Sequence, residues 1–272
     1  ASRPRKIYVS RDAAALSVGA DATVAALQRA ATAAGVDVSV TRVGSRGLLW
    51  LEPLVEVEDG GGARIAFGPV QARDVPGLVA AGLFDEAAHP LRLGRVEDLP
   101  WFARQERLTF ARCGLVDPLS IDDYVRHGGY EGLRNALSMP PADVVQAVID
   151  SGLRGRGGAA FPTGIKWKTV LEQAAPQKYV VCNGDEGDSG TFSERMLMEG
   201  DPFCLIEGMT IAGLAVGATQ GFVYVRSEYP HAVRTLREAV ATARARGFLG
   251  PDVLGSGRAF ELDVRMGAGA YI

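Results

Sequence analysis

Ser151-Gly-Leu-Arg-Gly-Arg-Gly-Gly-Ala-Ala-Phe-Pro-Thr-Gly-Ile-Lys166 is the stretch on which the reading of this chain turns. It holds five glycines, two arginines, one aromatic ring and a closing lysine. Gly152, Gly155, Gly157 and Gly158 lack a Cβ, so the backbone can turn sharply and a ligand can come close to it. Successive N–H groups in such a turn form an anion-binding concavity, and Arg154, Arg156 and Lys166 add positive charge. Phe161 supplies a flat apolar face. A surface linker has no use for this mixture, and the stretch is read as a nucleotide or flavin loop.

Two phosphate-loop patterns can be tested against it. The Walker pattern fails, because neither Gly-Lys-Ser nor Gly-Lys-Thr occurs anywhere in the chain. The dinucleotide pattern G-x-G-x-x-G/A fits Gly155, Gly157 and Ala160, but it requires a strand immediately upstream. The preceding segment has Val144, Val145, Val148 and Ile149 at helical spacing, with Pro141 suited to a first turn and Gly152 to a stop. The loop is therefore expected after a helix, which argues against a Rossmann dehydrogenase.

The chain has 272 residues, enough for one large domain or two smaller ones, and its 47% apolar content is ample for a core. A net charge of −3 without a basic run argues against nucleic acid and anionic membrane as partners. No run of apolar residues reaches membrane-spanning length and no signal peptide is visible, so a cytoplasmic location is expected. Cys113, Cys182 and Cys204 lack C-x-x-C spacing and are read as buried, inert thiols. The chain starts at Ala1 and stops in Gly267-Ala-Gly-Ala-Tyr-Ile272, an apolar Gly-rich loop, and we expect a C-terminally truncated chain.

The N-terminal part reads as a strand over 6–10, an alanine-rich helix over 22–34 and a strand over 36–43. An apolar run over 48–58, a Gly60–Gly62 turn, a return strand over 63–67 and a helix over 74–84 follow. This β-α-β-β-α order describes a thioredoxin-like domain, here without a C-x-x-C pair and so with a structural or docking role. Residues 85–119 show no clear period, and Arg107–Arg112 reads as either a strand or a tether. The domains are accordingly drawn as 1–95, a connector over 96–119, and 120–272.

Ser120 is expected to cap a helix over 122–138. After the Gly loop come a helix over 167–174, a buried strand over 178–183, an apolar helix over 203–216, a strand over 221–227, a helix over 230–246 and a strand around 260–264. At the end of the first of these strands stands Asn183-Gly-Asp-Glu-Gly-Asp-Ser-Gly-Thr-Phe-Ser-Glu194. Open α/β sheets place ligand groups at strand ends of this kind. The carboxylates of Asp185, Glu186 and Asp188 suit ribose hydroxyls. They lack the alternating register and distal Glu of a calcium loop, and no metal ligand is expected.

Three runs together carry a resemblance: Ser151 to Trp167, Cys182 to Phe192, and Arg265-Met-Gly-Ala-Gly-Ala-Tyr-Ile272. From about residue 105 onward the chain resembles the NADH- and FMN-binding flavoprotein subunit of respiratory complex I. Its relatives include the diaphorase subunits of NAD-reducing hydrogenases and the β subunit of soluble NAD-dependent formate dehydrogenases. The fused N-terminal half, with Gly44 to Glu58, is most similar to the formate dehydrogenase β subunit. It also resembles the thioredoxin-like [2Fe–2S] subunit, but Arg42 and Arg46 stand where that subunit has cysteine ligands.

The resemblance implies an α/β fold in which a thioredoxin-like domain precedes the N-terminal part of a complex I flavoprotein-type FMN/NADH-binding domain. It implies that Gly155, Arg156, Gly157, Gly158 and Ala159 lie against FMN and NAD(H), that Phe161 stacks on adenine, and that Lys166 contacts the flavin. Asn183, Asp185 and Glu186 would hydrogen-bond FMN, Asp188 would meet NAD(H), and Tyr271 would approach the flavin. The family usually has Gly at the place of Ala160. Hydride would pass directly between nicotinamide and flavin, so no catalytic acid–base residue is expected. The implied activity is that of a diaphorase reducing NAD+ with electrons from formate, beside an iron–sulfur subunit and a molybdenum-containing catalytic subunit. A hydrogenase or complex I diaphorase, or a non-enzymatic docking scaffold, is the alternative. In the family a Cys-Gly-Glu-Glu segment and four cysteines for a [4Fe–4S] cluster lie farther on, so weak FMN binding or none is expected of this stretch alone.

Overall fold

A computed structural model describes residues 4–83, 88–188 and 190–269. The chain divides into two compact units, Ala1–Pro118 with Glu199–Asp201, and Leu119–Met198 with Pro202–Ile272.

In the first unit, β1 (Arg5–Ser10) runs parallel to β2 (Val38–Val43) and antiparallel to β3 (Val55–Glu58). β3 pairs with β4 (Arg64–Phe67), and β4 with β5 (Arg92–Arg95). The sheet order is β2-β1-β3-β4-β5. Alternation buries Ile7, Val9, Val55 and Phe67 with Leu27 of α2 (Ala20–Ala33) and Leu78 of α3 (Val75–Ala80). The β3–β4 turn closes because the Asp59 carboxylate accepts from the N–H groups of Gly61 and Ala63. Two expectations are corrected here. A short helix, α1 (Ala13–Ser17), precedes α2, nucleated by Asp12, whose carboxylate accepts from Ala15 N. The helix expected over 74–84 ends at Ala80, because Gly82 turns the chain out with φ of 88°.

Residues 96–118 contain no strand at Arg107–Arg112. They are fastened to the first unit by arginines. Arg64 donates to the carbonyls of Gly114 and Leu115, and Arg107 donates to the carbonyl of Arg46. Arg46 itself is buried, paired side-on with Glu56 and also bonded to Glu97. Arg42 pairs with Asp21.

The second unit is built on three parallel strands in the order β6 (Tyr179–Gly184), β7 (Gln220–Val225) and β8 (Glu261–Met266). α9 (Pro202–Val216) packs on β6 and β7, and α10 (Pro230–Ala245) on β8. This places Phe203, Ile206, Val223, Leu236, Phe260 and Leu262 in one core. The expectation of a buried strand over 178–183 needs correction. Only one face of the sheet is covered among the described residues, so β6 alternates, and Tyr179 and Val181 are 57% and 64% exposed.

The single helix expected over 122–138 is in fact two, α4 (Ile121–Arg126) and α5 (Glu131–Leu137). Gly128 and Tyr130 adopt φ of 81° and 62° between them, and a Cβ on Gly129 would fall 2.1 Å from the Tyr124 ring. Glu207 of α9 fixes this corner, its buried carboxylate accepting from Tyr124 Oη, Tyr130 N and Leu133 N. α6 (Pro141–Asp150) leads into the Gly loop, as the valine spacing predicts, and the loop runs into α7 (Thr163–Glu172). A further helix, α8 (Ser193–Gly200), follows the acidic stretch and was not foreseen from the sequence.

Candidate functional site

The Gly loop is pinned at its base and open at its tip. Gly155 N donates to Phe161 O and Thr163 N to Leu153 O, closing a hairpin between Leu153 and Thr163. The Arg154 guanidinium reaches across it to Ala160 O at 2.8 Å. Residues 151–159 are exposed. A Cβ built on Gly157 or Gly158 meets no heavy atom within 4 Å. Ala160 holds φ of 51°, a left-handed conformation that favours glycine, and glycine is the residue the resemblance assigns to that place.

Facing the tip is the C-terminal end of β6. Arg156, Gly157 and Gly158 together with Asn183, Asp185, Glu186, Gly187, Asp188, Thr191, Ser193 and Glu194 line a cleft of about 720 Å³. That volume is in the range of small-molecule and cofactor sites. The structure therefore brings together seven of the residues expected from sequence: Arg156, Gly157, Gly158, Asn183, Asp185, Glu186 and Asp188. Gly155, Ala159, Phe161 and Lys166 are not among its lining residues. Gly155 is in the hairpin base, Phe161 is 51% exposed, and Lys166 lies on the first turns of α7, because that helix begins four residues before the expected start at Trp167. Tyr271 lies outside the described residues.

The acidic turn is shaped by its own side chains. Asn183 Oδ1 accepts from Asp185 N at 3.0 Å, bending the chain as it leaves β6. Glu186 is buried, with φ of 45°. Its carboxylate accepts from Thr191 Oγ1 at 2.9 Å, Glu194 N at 3.2 Å and Arg195 N at 2.9 Å. It thereby satisfies the first free N–H groups of α8. The expectation that Glu186 bonds FMN thus meets a carboxylate already engaged by the protein. Burial, then the charges of Glu186 and Asp185, push the Glu194 carboxyl above its ordinary range. Burial and the Glu194 charge push the Cys182 thiol up to about 11, so this cysteine is protonated and unreactive.

Sequence reading missed Thr191, Ser193 and Glu194 as lining groups. It also missed Arg226, whose Nη1 donates to Glu186 O at 2.8 Å from the end of β7. The parallel register Gly184↔Val225 was the available signal, since it sets the residues after β6 beside those after β7.

Comparison with known proteins bears on these same residues. Residues 148–272 match the model of the Nuo51 FMN-binding domain. Over these residues the chain is similar to complex I-type flavoproteins. The NADP-reducing hydrogenase protein HndC of Solidesulfovibrio fructosivorans is 52% identical over 169 residues, 62% of this chain and 34% of that protein. An NADH-quinone oxidoreductase component of Aquifex aeolicus is 48% identical over 153 residues, 56% of this chain and 36% of that protein. Its Escherichia coli namesake is 40% identical over 184 residues, 67% and 39% respectively. The chain thus spans somewhat over a third of the length of these relatives. A solved NAD+-reducing [NiFe]-hydrogenase in the H2-reduced state aligns over 99% of this chain and 44% of its own, with 25% identity and a TM-score of 0.46.

The matches support FMN and NAD(H) as the cofactors of the flavoprotein segment. The residues present fit them. Bare backbone at Gly157 and Gly158 leaves room for a flat ring, and carboxylate and amide groups suited to hydroxyls and ring N–H stand opposite. Among the described residues no group of three or more His, Cys, Asp and Glu is placed to hold a metal ion, and no helix is long and apolar enough to cross a membrane.

Proposed function

We propose that this chain is the NAD(H)- and FMN-handling part of a diaphorase subunit in a multi-subunit oxidoreductase. The observation that carries the reading is the cleft in which the tip of the Gly loop faces the end of β6. When bound, FMN supplies the hydride chemistry, exchanging hydride with nicotinamide. The chain's own residues position the two ring systems. Gly157 and Gly158 let them approach the backbone, Phe161 offers a stacking face, and Asn183, Asp185 and Asp188 supply acceptors for hydroxyl and N–H groups. Gly155 and Ala159 hold the loop, and Lys166 serves the flavin. Four carboxylates and one guanidinium line the cleft. Phosphates are therefore repelled by the carboxylates and drawn toward Arg156.

Formate is the proposed source of electrons, with an iron–sulfur subunit and a molybdenum-containing subunit as partners and NAD+ as acceptor in the cytoplasm. The resemblance of Gly44–Glu58 to the formate dehydrogenase β subunit supports this. The first unit is proposed to be a thioredoxin-like docking domain without a cluster, since Arg42 and Arg46 are committed to Asp21 and Glu56. A [4Fe–4S] cluster would be held outside the described residues. The hydrogenase alternative is favoured by the 52% identity to HndC. The deciding test is purification of the native complex. A molybdopterin subunit with formate-dependent NAD+ reduction supports the proposal, and a nickel subunit with hydrogen-dependent reduction replaces it. Absence of NADH-dependent dye reduction from either complex would remove the diaphorase reading altogether.

A further inference from the structure

The acidic turn holds its form against its own backbone preference. Glu186 at φ of 45° and Phe192 at φ of 53° are both left-handed without being glycine, and Gly187, Asp188 and Thr191 between them line the cleft. Such residues persist only where their surroundings over-determine them. For Glu186 the surroundings can be named atom by atom. Its carboxylate is held by Thr191, Glu194 N and Arg195 N, which fixes the far end of the turn onto α8. Its carbonyl is held by the Arg226 guanidinium. Arg226 is in turn oriented by Glu228, at 3.2 Å from Nε, and by the Tyr229 ring, 5.2 Å from its Cζ. The Tyr229 side chain is buried against Glu186 as well.

We propose that Arg226 is a positioning residue for the nucleotide-flavin cleft, latching the β6–α8 turn to the end of β7 through the Glu186 carbonyl. This rests on the cofactor reading given above, which assigns no role to Arg226. The latch spans neighbouring parallel strands, so it sets how far Asp185 and Asp188 stand from the Gly-loop tip. Removing the donor leaves a left-handed Glu186 whose carbonyl has lost that bond, and the turn relaxes toward ordinary backbone angles. The acceptors then leave the positions in which they meet a ligand. A charge-assisted hydrogen bond of this kind corresponds to about a ten-fold to hundred-fold equilibrium effect when it is deleted.

The test compares the assembled native complex with complexes carrying Arg226→Met, which keeps the length of the side chain and loses the donor, or Arg226→Lys, which keeps a cationic donor. Amide hydrogen exchange without ligand reads the latch directly. In Arg226→Met, amides of 185–195 should exchange about ten-fold or more faster, while those of β7 and α10 stay unchanged, and Arg226→Lys should recover most of the protection. Titration with FMN reads the consequence, a dissociation constant raised by about ten-fold or more in Arg226→Met and largely restored in Arg226→Lys. A variant that merely weakened the fold would lose protection throughout and would not be rescued by lysine. Unchanged exchange over 185–195 overturns the latch, and so does faster exchange with unchanged FMN affinity. If the unaltered assembled complex binds neither FMN nor NADH, the cofactor reading falls, and the exchange data still decide the latch.

Discussion

Gly157→Ala separates a glycine kept for folding from one kept for a ligand. In the unliganded protein a Cβ on Gly157 meets no heavy atom within 4 Å, and its φ is not among the left-handed ones. Alanine there reduces the freedom of the unfolded chain and should stabilise the fold by about 0.4–1 kcal/mol. For a protein of this size that raises Tm by about 1–3 °C. The bound state should respond in the opposite direction. A ring at van der Waals distance from the bare backbone must move away to admit a methyl group, and overpacking of this kind costs about 1–3 kcal/mol. That corresponds to about a 5- to 150-fold weaker dissociation constant. Thermal unfolding without ligand, flavin-fluorescence titration, and NADH-dependent dye reduction in the assembled complex measure the three quantities. A variant with raised Tm and undiminished affinity would refute the claim that this backbone is kept bare for a ring system.

Further substitutions probe what holds each unit together internally. Burial, opposed by Leu54 N–H and Ser45 and reinforced by the charges of Asp12 and Glu56, pushes the Glu52 carboxyl up to about 7 from 4.5. The folded state therefore binds this proton more tightly than the unfolded state. The associated stability is fully present below 4.5 and is lost as pH rises to about 7. Glu52→Gln should flatten the Tm profile across that window and gain up to about 3 kcal/mol above it, and an unchanged slope in unfolding measured from pH 4.5 to 8 would contradict this. Arg46→Met strands the buried Glu56 carboxylate and should cost about 3–5 kcal/mol in urea unfolding, most of it recovered when Glu56→Leu is added. Gly213→Ala puts a Cβ 2.2 Å from the Phe260 ring and should cost about 1–3 kcal/mol. Gly208→Ala in the same helix enters open space and should stabilise by about 0.5–1 kcal/mol, so equal effects from the two would contradict the packing argument.

Regular periods and strong punctuation made most of the fold legible. The valines of α6, the apolar run of α9, Pro230 at the start of α10 and the alternation before β8 each appear where spacing predicts them. What escaped depended on partners distant in sequence. The break between α4 and α5 is held by Glu207, more than seventy positions away from Tyr130, and no local pattern announces it. β5 exists because β4 offers it an edge, since Arg92–Arg95 alone has no strand signature. Exposure of Tyr179 and Val181 follows from which face the helices take, a property of topology and not of the run Tyr-Val-Val-Cys itself. The same reason explains the site. Asn183 to Asp188 stood out as carboxylates at a strand end, whereas Arg226 looked like any surface arginine until the register set it beside them.

Glycine shows best why the cleft could be found from residues at all. Gly129, Gly164, Gly213 and Gly221 are small because a ring or a backbone occupies the space a Cβ would need. Gly128, Gly152 and Gly158 are left-handed, which accounts for them on conformational grounds alone. Gly157 has neither reason. The same is true of Gly60, Gly77 and Gly208, so an unexplained glycine is not by itself a site. The difference is what surrounds it. Gly60 is in an exposed hairpin turn and Gly208 on an exposed helix position, while Gly157 stands at the rim of a concave space with Arg156 on one side and Asp185, Asp188 and Glu194 on the other. Where folding assigns a bare backbone no task and converging polar groups do assign one, the missing side chain is most simply the shape of something that binds. The Gly157→Ala experiment is decisive because it adds a methyl group to that shape and leaves the fold free to accept it.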